Sequence, residues 1–145
     1  MFEEVLNKYK HKGNFSFNAT ESLQEKCNAP TDKGGVYLIY KNKISDETLI
    51  YIGSSGQKKN GTIKVRKSGL GGMKDRIVNG YHPKFGKIKR KISFPIHMKA
   101  ENILEIKINW WVTYDKNNAD FPTEVENALV KKYLEKLYKL PDWHI

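Results

Sequence analysis

One carboxylate in this chain sits among apolar neighbours. Glu126 belongs to a long helical pattern that opens at Pro122 or Thr123 and runs to about Leu140, where Pro141 stops it. On a wheel of ~100° per residue with Val125 at the origin, Leu129, Leu140, Tyr133, Leu137 and Val130 spread over ~40–140°, and Glu126 falls at ~100°. Lys131, Lys132, Glu135, Lys136, Lys139 and Glu124 fall mostly on the opposite side. An acid on a buried face is costly unless it is paired, hydrogen-bonded or bound to a metal. Two readings fit Glu126: a partner arginine or tyrosine, or a divalent cation.

The positive charge is as localised as that acid. The chain carries 26 Lys and Arg against 16 Asp and Glu, a net charge of +10. Between Ser54 and Lys91 there are twelve basic residues and one acid, Asp75, which leaves fourteen basic and fifteen acidic residues elsewhere. A charge kept only for solubility would be spread out; a concentrated one marks a polyanion partner such as nucleic acid, against the plainer reading of a solvated lysine-rich loop. The candidate nucleic-acid contacts are Lys58, Lys59, Lys64, Arg66, Lys67, Lys74, Lys87, Lys89, Arg90 and Lys91. Asn60, Thr62, Asn79 and Lys87 are the side chains able to read base edges.

Two tyrosines must be positioned against these groups. Gly35-Val36-Tyr37-Leu38-Ile39-Tyr40 and Thr48-Leu49-Ile50-Tyr51-Ile52-Gly53 are β-rich runs around a polar connector, a hairpin pattern. Alternation puts Tyr37 and Ile39 on one face and Val36, Leu38 and Tyr40 on the other; Leu49, Tyr51 and Gly53 share a face in the second strand. Gly53-Ser54-Ser55-Gly56 ends that strand and leaves backbone open to close approach by another molecule.

The string Gly35-Val36-Tyr37 followed by Tyr51-Ile52-Gly53 resembles the GIY-YIG nuclease family, with valine for the central isoleucine of the first triplet. Downstream, Met73-Lys74-Asp75-Arg76 is similar to that family's helix arginine with a hydrophobic residue three before it. Glu126 followed by Leu129-Val130 is similar to its late-helix glutamate with an aliphatic pair. The likeness covers roughly residues 33–144. It implies an α/β (α+β) fold, a small, mainly antiparallel three-stranded sheet flanked by helices. It also implies metal-dependent DNA hydrolysis with Mg²⁺ (or Mn²⁺) on Glu126. Tyr37 would be general base on the attacking water, assisted by Lys64, Lys67, Lys74 or the metal. Tyr51 would orient water or phosphate, Arg76 would grip a phosphate oxygen, and Gly53 would let the substrate approach. The family's tyrosine or histidine four residues after the arginine falls on Gly80, with His82 close behind. Its terminal asparagine is replaced by His144 in Pro141-Asp142-Trp143-His144, a hydrogen-bonding brace by analogy. A small member with a basic insertion is most similar to a restriction-type endonuclease, for which a homodimer is an expectation. A structure-specific repair nuclease, a catalytically inactive nucleic-acid-binding module and a partner-binding protein are the other readings.

The remaining elements follow from pattern. Residues 1–30 form a helical extension: a helix over 2–10 with Phe2, Val5, Leu6 and Tyr9 on one face, a loop over 11–18, and a short helix over 20–27 capped by Asn18 or Thr20. Residues 31–145 form the nuclease-like part of a single compact domain. Residues 54–69 read as a loop with a brief strand at 62–65. Residues 70–80 read as a short helix striped by Leu70, Met73 and Ile77, with Ser68 as N-cap and Gly80 as stop. A basic connector follows to Lys91. Ile92, Phe94, Ile96 and Met98 alternate, and Pro95 makes that run an edge strand or loop. Leu104 to Tyr114 alternates most cleanly and is the strongest strand.

Composition narrows the setting. At 145 residues, 39% hydrophobic and 29% charged, the chain predicts a soluble globular domain. One cysteine, Cys27, excludes an intrachain disulfide and a cysteine zinc site, and fits an intracellular, cytoplasmic setting. The start Met1-Phe2-Glu3-Glu4 is unlike a secretory signal, and no run approaches membrane-spanning length.

Overall fold

The strand with the cleanest alternation lies at the centre of the sheet. In a computed structural model, which describes all 145 residues, β6 (Ile106–Tyr114) pairs antiparallel with β1 (Lys12–Phe17) on one side and with β2 (Gly34–Lys41) on the other. β3 (Leu49–Ser55) completes the order β1-β6-β2-β3. Ile106, Ile108, Trp110 and Val112 point into one core, while Trp111 packs against the other.

The fold is thus of the α+β class with an antiparallel sheet, as the resemblance implies, with one strand more than expected. The extra strand is β1, in a segment read as a loop because Gly13, Asn14 and Ser16 interrupt it. Phe15 and Phe17 alternate inward and are buried. Gly13 lies beneath the Trp110 ring, where a Cβ would come 2.7 Å from Cε2. Its glycine is there for packing, so it does not mark a turn.

Each face of the sheet carries its own core. Tyr37, Ile39, Ile50, Tyr51 and the inward side of β6 pack beneath α2 (Leu23–Lys26), α3 (Gly72–Asn79), α4 (Arg90–Ala100) and Trp143. Val36, Leu38, Tyr40, Leu49 and Ile52 pack against α1 (Glu3–Leu6) and α5 (Pro122–Leu137). The β2 alternation falls as predicted. That of β3 does not: Ile39 pairs with Tyr51 and Tyr40 with Leu49, so the bulge at Ile50 sends Leu49 to the opposite face from Tyr51.

Several boundaries move. α1 ends at Leu6, α2 begins at Leu23 with Ser22 accepting from the Glu25 N–H, and α5 ends at Leu137, where Tyr138 takes a left-handed conformation. α4 replaces the edge strand or loop expected around Pro95. Phe94 and Met98 are buried while Ile92 and Ile96 are about half exposed, so the period is four and the apparent alternation mixes two helix faces. α3 starts at Gly72 after Gly71, with Ser68 uninvolved as a side-chain cap. Both glycines have positive φ, and a Cβ on Gly72 would lie 2.5 Å from the Thr31 carbonyl carbon. The first N–H groups of this helix are taken by the carbonyls of Arg66, Lys33 and Pro30, which closes its N-terminus to a ligand.

The open edge of β3 is covered by the C-terminal tail. The Trp143 N–H donates to the Ile50 carbonyl at 2.9 Å, and the Ile52 N–H donates to His144 Nε2 at 3.1 Å. An unpaired strand edge is a template for pairing with other chains, and this tail blunts it.

Candidate active site

β2 and β3 bring the two phenols together. Their register sets Tyr37 opposite Gly53 and Ile39 opposite Tyr51, and the tyrosine ring centroids lie 6.2 Å apart. Both are buried, Tyr37 completely and Tyr51 to 8% exposure. Gly53 is buried beneath the Tyr37 ring, and a Cβ there would stand 2.5 Å from the hydroxyl oxygen. Its absent side chain therefore makes room for Tyr37, which corrects the expectation that Gly53 is left bare for substrate.

A cation that the sequence reading placed at the surface lies beneath these phenols. Arg90 is fully buried, and its Nη1 donates to the Tyr37 hydroxyl at 2.6 Å and to the Arg76 carbonyl at 3.0 Å. Its guanidinium carbon sits 5.6, 5.5 and 5.8 Å from the ring centroids of Tyr37, Tyr51 and Phe94. Arg90 is thus no surface nucleic-acid contact, and it, not Lys64, Lys67 or Lys74, is the cation on Tyr37. The four-residue spacing of Arg90, Phe94 and Met98 held the signal, hidden while Pro95 argued against a helix.

Two histidines border Tyr51. The His82 ring lies 4.5 Å from it and stacks on Phe85 at 4.4 Å. His82 is fully buried, and its Nδ1 accepts from the Lys84 N–H, which leaves the proton on Nε2 without an acceptor. Burial, then the charge of Arg90, pulls its pKa down to about 3, so the ring is neutral. His144 lies 4.8 Å from Tyr51 and braces the β3 edge through Nε2; burial lowers its pKa too.

Glu126 reaches this cluster from α5 on the other side of the sheet. It is half-buried and forms no ion pair. Burial raises its pKa, countered by the Ser54 side chain and then by the charges of Arg76 and Arg90. Burial, and then the neighbouring Tyr37, raises the pKa of Tyr51, with Glu126 adding to it and Arg90 opposing. Tyr37, Tyr51, Arg76, Arg90 and Glu126 therefore share one electrostatic neighbourhood. No group of three or more His, Cys, Asp or Glu side chains converges anywhere in the chain. Asp75 is occupied elsewhere, by the Arg66 Nε at 2.9 Å, the Leu70 N–H at 3.0 Å and Asn79 at 2.8 Å. A half-buried carboxylate in no ion pair could supply one protein ligand to a divalent cation.

Arg76, on α3, is half-buried and makes only a long 3.5 Å contact to the Tyr81 carbonyl, so its guanidinium is free to take an anion. It lines a cleft of about 830 Å³ together with Ser54, Arg66, Lys67 and a small hairpin. That hairpin, β4 (Gln57–Lys59) and β5 (Thr62–Lys64), turns on Asn60-Gly61, both at positive φ. Gln57 pairs with Lys64 and Lys59 with Thr62, and all four line the cleft. Ile63 also lines the cleft and packs towards Gly34 and Gly56, and Lys58 sits 3.9 Å from Glu124 and over the Phe121 ring. Of the basic residues singled out by sequence, Lys59, Lys64, Arg66 and Lys67 line the cleft, Arg66 also being the partner of Asp75. Lys58, Lys74, Lys87, Lys89 and Lys91 lie outside its lining.

No family model, curated protein or solved structure matches this chain. No helix is long and apolar enough to cross a membrane.

Proposed function

We propose that this chain is a divalent-metal-dependent endonuclease that hydrolyses phosphodiester bonds in DNA, of the restriction type. The observation that carries the reading is the meeting of two phenols, a free guanidinium and an unpaired acid beside a basic cleft. The Arg76 guanidinium would grip a nonbridging phosphate oxygen, since a planar fork of donors suits a phosphate. The Tyr37 oxygen would take the proton of the attacking water, and the Tyr51 hydroxyl would orient that water or the phosphate. A divalent cation on Glu126 would add Lewis-acid stabilisation of the phosphate's growing charge. Lys59, Lys64, Arg66 and Lys67 would hold the flanking backbone without regard to sequence.

The test is incubation of the protein with plasmid DNA and Mg²⁺ or Mn²⁺, followed by sequencing of the ends. Cleavage at defined ends supports a restriction-type enzyme, and cleavage confined to branched or damaged duplexes supports a repair-type one. Glu126→Ala should abolish cutting and keep DNA binding. The burial of both phenols favours a binding-only module, and a wild type that binds DNA in a salt-dependent way yet cuts nothing would select it.

A further inference from the structure

We propose that Arg90 is the positioning residue for Tyr37: it aims the phenol's proton and supplies the positive charge that the oxygen meets when that proton leaves. The catalytic consequence rests on the nuclease reading; the physical pairing does not.

A guanidinium has donors and no acceptor, so in the 2.6 Å contact between Arg90 Nη1 and Tyr37 the phenol oxygen must accept. With that lone pair occupied, the phenol's own proton is directed away from the guanidinium. The guanidinium is fixed by a second bond to the Arg76 carbonyl, and the Arg90 backbone N–H donates to the Gly80 carbonyl at 3.0 Å. The backbone is thus anchored at the start of α4, and the guanidinium cannot swing away from Tyr37 without giving up the Arg76 carbonyl as well.

The charge balance points the same way. Arg90 is wholly buried, forms no ion pair, and leaves Nε and Nη2 without hydrogen-bond partners. A buried cation in that state is costly, and the aromatic faces around it offset only part of the cost. Among the atoms Arg90 touches, the Tyr37 oxygen is the one able to become an anion. In the reaction, Tyr37 first releases its proton to solvent. The phenolate oxygen then takes a proton from the water whose oxygen forms the new P–O bond. The old P–O bond breaks, and its electron pair leaves with the alcohol oxygen, which takes from solvent the proton that Tyr37 first gave up. Arg90 holds the negative charge between the two transfers at Tyr37.

Tyr51, His82, Arg76, His144 and Glu126 also border this pair, so the test compares variants of the pair alone. Plasmid cleavage with Mg²⁺ is followed against pH for wild type, Arg90→Met, Arg90→Lys and Tyr37→Phe. Arg90→Met should lose at least ~100-fold in kcat near neutrality, the scale of one proton-transfer group. Its KM for DNA should stay unchanged, its rate profile should move to higher pH, and Arg90→Lys should recover part of both losses. A folded Arg90→Met, or a folded Arg90→Lys if the methionine variant does not fold, with the wild-type pH profile would overturn the proposal. If the wild type cuts nothing, the nuclease reading fails, and the pairing is then judged by a double-mutant cycle of thermal stability without DNA or metal. Arg90→Met and Tyr37→Phe each remove one partner of the 2.6 Å contact, so the double variant should lose clearly less than the sum of the two single losses; additive losses would sink the pairing itself.

Discussion

Tyr37 and Gly53 face each other across β2 and β3 so closely that a single added methyl group on Gly53 would meet the phenol oxygen at 2.5 Å. The tyrosine is buried on every side and bonded to Arg90, so it cannot yield by rotating into solvent. Gly53→Ala should therefore destabilise the fold by about 1–3 kcal/mol, the usual cost of overpacking a core. It should also cut cleavage more deeply than it lowers the melting temperature accounts for, because the displaced oxygen is the one proposed to take the proton. Thermal melts set beside plasmid nicking rates check both halves; a variant as stable and as active as wild type would contradict them.

On the nuclease reading, Glu126 should set stability against activity. Burial raises its pKa, so the folded state disfavours the ionised form. Stability contributed by this residue is therefore greatest at low pH and is lost as pH rises above the ordinary carboxyl value of 4.5. Glu126→Gln should melt higher than wild type at pH 7, with the difference shrinking towards pH 4, and should lose at least ~100-fold in cleavage. Added Mg²⁺ should raise the melting temperature of the wild type slightly and leave the variant unmoved, since binding to the folded state stabilises it by mass action. Tight calorimetric Mg²⁺ binding without DNA would contradict a single-carboxylate site.

The residues legible in the sequence were those whose role depends on one element. Tyr37 and Tyr51 sit on a hairpin with an alternation of its own, and Glu126 stood out as the charge on an apolar helix face. Arg76 is singled out by the family resemblance, through a hydrophobic residue three before it on α3. What stayed hidden depended on two elements at once. Arg90 reads as one more lysine-run charge until α4 is seen to fold back beneath β2. β1 reads as a loop until Trp110 is seen to cover Gly13. His82, three residues past the end of α3, is a candidate only through the family resemblance, and the packing of Phe85 and Tyr51 on its ring is what the sequence does not show.

His82 should leave a mark on acid stability. Its folded-state pKa of about 3 lies below the ordinary 6.5, so between these values the unfolded chain binds a proton that the folded one refuses. Stability rises with pH across that window and is lost as pH falls from 6.5 towards 3. The wild-type melting temperature should drop between pH 7 and pH 5, and His82→Phe, which keeps a ring against Phe85 and Tyr51, should drop less. Parallel curves for the two proteins would show that another group drives the acid loss.

The β4–β5 hairpin offers the cleanest separation of binding from chemistry. Lys59 and Lys64 stand on its cleft-facing side, and Lys67 follows just after it, all three exposed and none in an ion pair within the fold. Exposed lysines of this kind contribute little to stability, so removing them should leave the melting temperature unchanged. On a nucleic acid each would release about one counterion. The slope of log binding constant against log salt should then flatten by ~0.9 for each of Lys59→Ala, Lys64→Ala and Lys67→Ala, with affinity lost alike on all sequences. Lys58→Ala, whose ammonium is already engaged by Glu124 and Phe121, should change the slope least. Fluorescence anisotropy on one short duplex across a salt series reads all four variants. Equal effects from Lys58 and Lys64 would mean that the polyanion does not run through this cleft.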